Sequence, residues 1–224
     1  MRRRSEPQSG RAFERFINFT DAVVAIAITL MALPLIDIAG PTENETVWQV
    51  IATNSGAIIV FLLAFAIVAN SWHQHNRIVN AMRAYDGPIF WLNIAWIAII
   101  AVIPWAANLY GTASNRFEGG EGLGGTGLFF YLLLAAITFI GLLIARYVNS
   151  HPYLLEPDLV DQWRVQRAIS NTVAVTLIIG FLLIGVGTIF FPTVFSYVPI
   201  LLFPVAKWAA ATAKKHAIAA HEGA

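Results

Sequence analysis

The sequence contains no cysteine and little charge, since only 12% of its 224 residues are Asp, Glu, Lys or Arg. The absence of cysteine excludes a disulfide framework, a thiolate metal site and a cysteine nucleophile. The low charge excludes an ordinary soluble domain, in which about 25% of the residues are charged. Hydrophobic residues make up 58% of the chain and the mean hydropathy is +0.66. This composition is typical of a protein embedded in a lipid bilayer.

Six apolar segments are long enough to cross a membrane, which takes roughly 20 residues each. They lie near 17–36, 50–72, 88–109, 127–148, 169–191 and 193–211. Asp21 makes the first segment a poor signal peptide, so we expect it to be retained. The sequence therefore predicts an all-α integral membrane protein with six transmembrane helices in residues 13–213. A basic cytoplasmic tail, 1–12, would lie against anionic headgroups, and 214–224 would form a C-terminal cytoplasmic tail.

The basic residues are distributed asymmetrically about these segments. Of the 14 Lys and Arg residues, all but Arg116 fall on the side that holds the N-terminus. The opposite loops hold the acidic residues Asp37, Glu43, Glu45, Glu118 and Glu121. Because Lys and Arg concentrate in cytoplasmic loops, both termini are predicted to be cytoplasmic.

The first segment carries polar residues where an ordinary span would be apolar, among them Thr20 and Asp21. An aspartate inside a span costs about 2.5–3.5 kcal/mol on insertion scales. Both side chains therefore need polar partners from other helices at the same depth. The candidates at that depth are Asn70, Ser71, Trp72, His73, His75, Asn76, Trp91 and Asn93.

The opposite side of the same helix is an apolar stripe. At about 100° per residue, Ile26, Leu30 and Leu33 share one face with Phe19, and that face ends at Asp37. Thr20 and Asp21 point away from it. The two faces of the helix therefore require different environments.

Several motifs resemble one family. Arg15–Asp21 is similar to the Arg-x-x-x-Phe-Ser-Asp signature of the transmembrane protein 175 family, potassium channels of lysosomes with shorter prokaryotic relatives. Ala22–Leu33 looks like the rest of that family's first helix, with threonine in place of the usual serine at position 20. Trp72–Arg77 resembles its Trp-x-x-His motif, and Asn93 followed by Pro104 resembles its third helix.

The resemblance implies a six-span subunit of the prokaryotic branch, located in the plasma membrane, that assembles as a homotetramer. Four copies of the first helix would line a central pore, with Ile26, Leu30 and Leu33 at the narrowest point. A structural polar network would hold this helix in place, and its members would be Arg15, Phe19, Thr20, Asp21, Trp72, His75 and Asn93.

The expected function is passive conduction of potassium with a modest preference over sodium. No TVGYG filter is present, and Gly185–Thr188, which is superficially similar, lies within an apolar span. A ring of aliphatic side chains can instead gate by dewetting, and potassium sheds its water more easily than sodium. Asp37 at the outer mouth would raise the local cation concentration.

Other functions remain as alternatives. A proton-coupled secondary transporter would use Asp21 and His75, but the sequence shows no internal repeat of the kind many transporters have. Asp21 could also simply fasten helices in a protein whose function lies elsewhere. His73 and His75 point about 200° apart on a helix, which disfavours a metal site, and no catalytic constellation indicates an enzyme. We expect no cofactor beyond permeant potassium, and as partners other copies of the chain and membrane lipids rather than nucleic acid.

Overall fold

The computed structural model describes residues 7–116, 123–195 and 198–222, and these ranges are almost entirely helical. The helices are α1 Arg11–Leu30, α2 Leu33–Ile36, α3 Val47–Thr53, α4 Ser55–Asn80, α5 Gly87–Arg116, α6 Leu123–Ser150, α7 Val160–Phe190, α8 Pro192–Phe195 and α9 Pro199–Glu222. Two strands, β1 Gln8–Ser9 and β2 Ala84–Tyr85, pair in antiparallel fashion. Residues 1–6 of the predicted tail, and Glu118 and Glu121, lie outside the described residues.

Within the described residues, five helical stretches are long and apolar enough to cross a membrane. They are Arg11–Ile36, Ser55–Asn80, Gly87–Ser114, Leu123–Ser150 and Ser170–Phe190. The prediction of an all-helical protein with several membrane spans is thereby confirmed. α9 is not among the five, because every run of 18 residues within this helix contains the three lysines Lys207, Lys214 and Lys215. The sixth crossing therefore stays a prediction.

The first predicted span is divided near its end by Pro34. Proline has no N–H to donate, and its ring crowds the carbonyl four residues earlier. Near the proline, the backbone hydrogen bonds span three residues in place of the usual four. The amide of Ala32 donates to the carbonyl of Thr29 at 3.1 Å, and the amide of Leu35 donates to the carbonyl of Ala32 at 3.0 Å. Met31 and Ala32 keep right-handed helical backbone angles. Leu33 consequently begins a separate short helix, α2.

α5 lies at the centre of the packing. α1 and α4 pack against it, α6 packs against it as well, α7 packs against α6, and α9 packs against α7. Along α5 the buried side chains Trp96, Ile100, Ile103, Ala107 and Tyr110 alternate four and three residues apart. This spacing places them on one helical face, so α5 can bury a continuous stripe among its neighbours.

Small residues bring two of the helices close together. A Cβ atom added at Gly124 of α6 would lie 2.9 Å from the carbonyl oxygen of Thr188 on α7. The Thr188 hydroxyl also donates to the Gly124 carbonyl at 3.2 Å. At the next position, Gly125, an added Cβ would meet nothing within 4 Å. Close approach at small residues is a common way for membrane helices to pack, and here Gly124 provides it.

Candidate functional site

The two sides of the first span, Arg11–Ile36, differ in burial. The buried side chains repeat every three or four residues and face α5 and α4: Phe13, Phe16, Thr20, Val24, Ala27 and Met31. On the other side Ile26 is 59% exposed, Leu30 43% and Leu33 52%. Among the described residues of a single subunit, the apolar stripe of the first span is therefore only partly covered.

A directed chain of hydrogen bonds runs from α4 through α5 to α1. Asn93 donates through Nδ2 to the Thr20 hydroxyl at 2.7 Å, which leaves its Oδ1 facing Nε2 of His75 at 2.8 Å. His75 is accordingly the donor of that pair. Thr20 in turn donates to the carbonyl of Phe16 at 3.0 Å. All three side chains are buried, so α1 is tied to α4 and α5 by bonds that water does not reach.

Asp21 is held by a second contact from α4. The indole N–H of Trp72 donates to Oδ1 of Asp21 at 2.8 Å. Asp21 itself is half-buried, at the edge between the packed and exposed sides of α1. The hydrogen-bond partners of Thr20 and Asp21 thus come from two neighbouring helices, α5 and α4.

Arg15 and Phe19 lie apart from this arrangement. Both side chains are exposed, and Phe19 is 54% exposed. On an ideal helix both fall within about 20° of Ile26, so they share its face and not that of Thr20. In one subunit the structure joins Thr20, Asp21, Trp72, His75 and Asn93, and we call these five residues the polar anchor.

The predicted outer-mouth residue lies at the end of a short helix, and the filter-like segment lies within a long one. Asp37 follows α2 and is exposed. On the loop beyond it, hydrogen bonds from the hydroxyl and amide of Thr42 lower the pKa of the Glu45 carboxyl. Gly185–Thr188 lies inside α7, where Gly185 packs against Tyr131 and Leu128. Its carbonyls are therefore not arranged to coordinate an ion.

The histidines of the second span face different surroundings. His75 is buried and its ring stacks on Trp96, with centroids 4.3 Å apart, whereas His73 is exposed. Among the residues that the structure describes, no three His, Asp or Glu side chains come close enough together to hold a metal ion.

One polar centre was not predicted. Asp86 is buried and precedes α5, where its Oδ1 accepts from the amide of Ile89 at 3.2 Å. Its Oδ2 accepts from the hydroxyls of Tyr147 at 2.7 Å and Tyr153 at 2.8 Å. The sequence did contain an indication, because an Asp directly before a helix with proline in its first turn is a common helix start.

Asp86 lies within a set of contacts that joins three segments at one end of the bundle. The amide of Arg83 donates to Leu154, and that of Glu156 donates to Ala81, both at 2.9 Å. The strand pair β1–β2 adds the segment before α1, and Phe16 of α1 stacks on Tyr85 at 4.5 Å. The start of α1 is thus fixed to the α4–α5 and α6–α7 connections.

The fold and the polar anchor define a multi-span helical membrane protein whose first helix is anchored on one side and free on the other. Comparison with known proteins then specifies the class. Residues 15–104 match the family model described as "Endosomal/lysosomal potassium channel TMEM175". These residues contain most of α1, the whole polar anchor and the larger part of α5.

Named relatives agree with this match. The chain is 27% identical over 193 residues to the human endosomal/lysosomal proton channel TMEM175, covering 84% of this chain and 35% of that protein. It is 28% identical over 154 residues to the protein of the same name from Danio rerio, covering 67% and 28%. A potassium channel of Chryseobacterium sp. (strain P1-3) is 24% identical over 99 residues, covering 44% and 49%. The chain thus spans about a third of the human protein.

A solved structure has the same overall fold as this chain. The crystal structure of a lysosomal potassium-selective channel TMEM175 homolog from Chamaesiphon minutus superposes with a TM-score of 0.55 at 20% identity, covering 91% of this chain and 99% of that one. Together the matches show that the chain is similar to the TMEM175 proteins, in agreement with the motifs of its first three spans. Members of that family are ion channels and not enzymes.

Proposed function

We propose that this chain is one subunit of a potassium-permeable cation channel that conducts passively. The observation that carries the proposal is the division of the first span, Arg11–Ile36, into two faces. Thr20 and Asp21 are bound to α4 and α5, while Ile26, Leu30 and Leu33 are exposed and apolar. Four copies of such a helix around an axis would cover these side chains against one another and enclose a path for ions.

In this homotetramer the aliphatic side chains would form the constriction. An apolar ring excludes water until it widens, and it makes an ion shed part of its hydration shell. Potassium loses this water more easily than sodium, so the ring favours potassium by a modest margin. Asp37, exposed beyond α2, would gather cations at the outer mouth. Both termini would be cytoplasmic, with α9 as the sixth crossing, in a prokaryotic plasma membrane.

The polar anchor would set the distance between the four pore helices. A constriction works only if its side chains meet at a fixed separation, and rigid supporting contacts provide this. Arg15 and Phe19 share the exposed face of α1, so in the tetramer they would face neighbouring subunits near the inner end of the pore. Asp21 holds the helix and is not an ion site.

Proton permeation is a second candidate, because the human and Danio rerio relatives are named proton channels. Strict coupling of protons to another ion has less support. Asp21 and His75 bind different partners, Trp72 and Asn93, so their hydrogen bonds do not join them in one relay. Passive conduction of both ions is compatible with the same pore.

The reversal potential of the reconstituted protein in planar bilayers tests the proposal. With potassium on one side, sodium on the other and equal pH, we expect a reversal potential displaced toward that of potassium. A further recording with symmetric salt and a pH gradient measures proton permeation. Transport that ceases when the pH gradient is removed would refute the channel and support the coupled transporter.

A further inference from the structure

A cavity of about 390 Å³ lies among α4, α5, α6, α7 and α9, away from the exposed face of α1. Its volume is in the range typical of small-molecule sites. α4 contributes one side through Asn70, Ser71 and Gln74, while α9 contributes Leu202 and Ala206 on the other. α4 packs on α5 and α6, and α9 packs on α7, so the cavity is the space between these two helices.

The charge around this cavity has one sign. Arg77, in the last turn of α4, and Lys207 of α9 both line it, and both side chains are exposed. Neither Asp nor Glu occurs among the described residues that surround it. Among its described lining residues the cavity therefore offers two cations and no acidic counter-charge.

Besides the polar residues of α4, much of the remaining wall is apolar. Ile137 and Leu142 of α6 and Leu177 and Phe181 of α7 contribute to it, and small residues such as Gly141 leave room between them. A site with two cations and an apolar interior, opening between membrane helices, matches an anionic headgroup joined to an acyl chain. Basic pockets between membrane helices on the cytoplasmic side are known to bind phosphate-containing headgroups.

We propose that this cavity binds an anionic phospholipid, with the headgroup phosphate at Arg77 and Lys207 and an acyl chain in the apolar part. A lipid in this position would contact a residue of the polar anchor, which holds α1 in place. His75 and Trp96 line the cavity and stack on one another, and His75 is also the first donor of the polar anchor. The occupant therefore packs against the side chain that leads through Asn93 to Thr20.

Native mass spectrometry of the detergent-purified protein tests the site. Phosphatidylglycerol is titrated against the wild type and against Arg77→Gln, Lys207→Gln and the double variant, with phosphatidylcholine as the zwitterionic reference. One Lys or Arg near a membrane contributes about 1 kcal/mol toward anionic lipid. We expect each single variant to bind phosphatidylglycerol about fivefold more weakly and the double variant about 25-fold more weakly, with phosphatidylcholine binding unchanged.

Arg146→Gln is the matched control, because Arg146 is an exposed arginine of α6 that does not line the cavity. It should bind phosphatidylglycerol as the wild type does. The proposal would be overturned if Arg146→Gln lost as much phosphatidylglycerol affinity as the cavity variants. It would also be overturned if the affinity of the double variant stayed within twofold of the wild type. Displacement of the lipid by inorganic phosphate at millimolar concentration would also overturn it, since the site would then recognise the phosphate without the chain.

The apolar part is tested separately by filling it. Gly141→Leu should weaken phosphatidylglycerol binding, because its side chain would project beside Trp96. Gly141→Ala should not, since an added Cβ meets its nearest neighbour, the Trp96 Nε1, at 3.9 Å. Undiminished binding in a folded Gly141→Leu variant would contradict the proposed position of the acyl chain. Neither experiment depends on conduction.

Discussion

Asn93 of α5 donates a 2.7 Å hydrogen bond to the hydroxyl of Thr20 on α1, and both side chains are about 1% exposed. This bond explains why an apolar span keeps polar residues in its first half. A hydroxyl with a buried partner on another helix fixes both the rotation and the height of α1. Leucine at the same position would fill the space without fixing either.

Replacing Thr20 by Val should destabilise the subunit by about 1–2 kcal/mol. The methyl group that takes the place of the hydroxyl leaves the Asn93 amide without its acceptor, and interhelical hydrogen bonds in membrane proteins contribute up to about 1.7 kcal/mol. Thr20→Ser keeps the hydroxyl and should stay close to the wild type. Equilibrium unfolding in mixed detergent micelles measures the difference.

Thr29→Val controls for loss of a hydroxyl, since Thr29 is exposed and donates within its own helix to Ile26 at 2.8 Å. It should unfold like the wild type. Equal stability of Thr20→Val and Thr20→Ser would show that Asn93 does not depend on this acceptor.

Trp72→Phe should also lower stability, by about 1–3 kcal/mol, because the half-buried carboxyl group of Asp21 loses its hydrogen-bond donor. The fraction of protein recovered in the assembled state by size-exclusion chromatography should fall in parallel. Trp91→Phe is the comparison, since Trp91 is 69% exposed. Matching losses in both variants would indicate a general effect of removing an indole.

The sequence was sufficient to predict much of this arrangement. Helical periodicity separated Ile26 from Thr20 by face, and the cost of a buried carboxylate required partners for Asp21. The position of Asn93 at the matching depth followed from the order of the spans. The first inference depends on local spacing along one helix, and the other two depend on residue polarity and on the order of the spans, all of which the chain specifies directly.

Other features depend on contacts between distant segments, which spacing does not reveal. Tyr147 and Tyr153 meet Asp86 because two connections pack together at one end of the bundle. Arg15 illustrates a different limit, because its motif suggested membership of the polar network while its angular position places it with Ile26. The division near Pro34 could have been predicted, since proline interrupts the bonding of a helix.

Asp86→Asn should loosen the connections that fix the start of α1. The carboxylate accepts three hydrogen bonds from Ile89, Tyr147 and Tyr153, and an amide offers one acceptor oxygen in place of two. We expect a loss of about 1–3 kcal/mol. Hydrogen–deuterium exchange should rise together in residues 81–86 and 151–156.

Asp158→Asn provides the control for removal of a carboxylate, since Asp158 is exposed in the α6–α7 connection that also holds Tyr153. Its exchange pattern should match the wild type. Faster exchange in 151–156 alone, without a change in 81–86, would show that Asp86 does not join the two connections.

Gly124→Ala should weaken the packing of α6 against α7. The added methyl group would lie 2.9 Å from the Thr188 carbonyl, which is backbone and cannot turn aside, and overpacking of this kind typically costs about 1–3 kcal/mol. Gly125→Ala changes the adjacent residue, where the space is open, and should not lower stability. Thermal unfolding in detergent compares the two, and equal melting temperatures would contradict the close approach.

Ile26→Asn and Leu30→Asn test the proposed constriction directly. An amide in the ring holds water, so the barrier to wetting falls, and ions no longer need to shed as much of their hydration shell. Single-channel recordings should show higher conductance and a smaller preference for potassium over sodium. Leu183→Asn serves as the control, because Leu183 on α7 is 66% exposed and would lie away from the pore. Unchanged currents in both α1 variants would show that Ile26 and Leu30 do not form the constriction. An equal change in Leu183→Asn would show that the effect comes from the added polar group and not from its position in the pore.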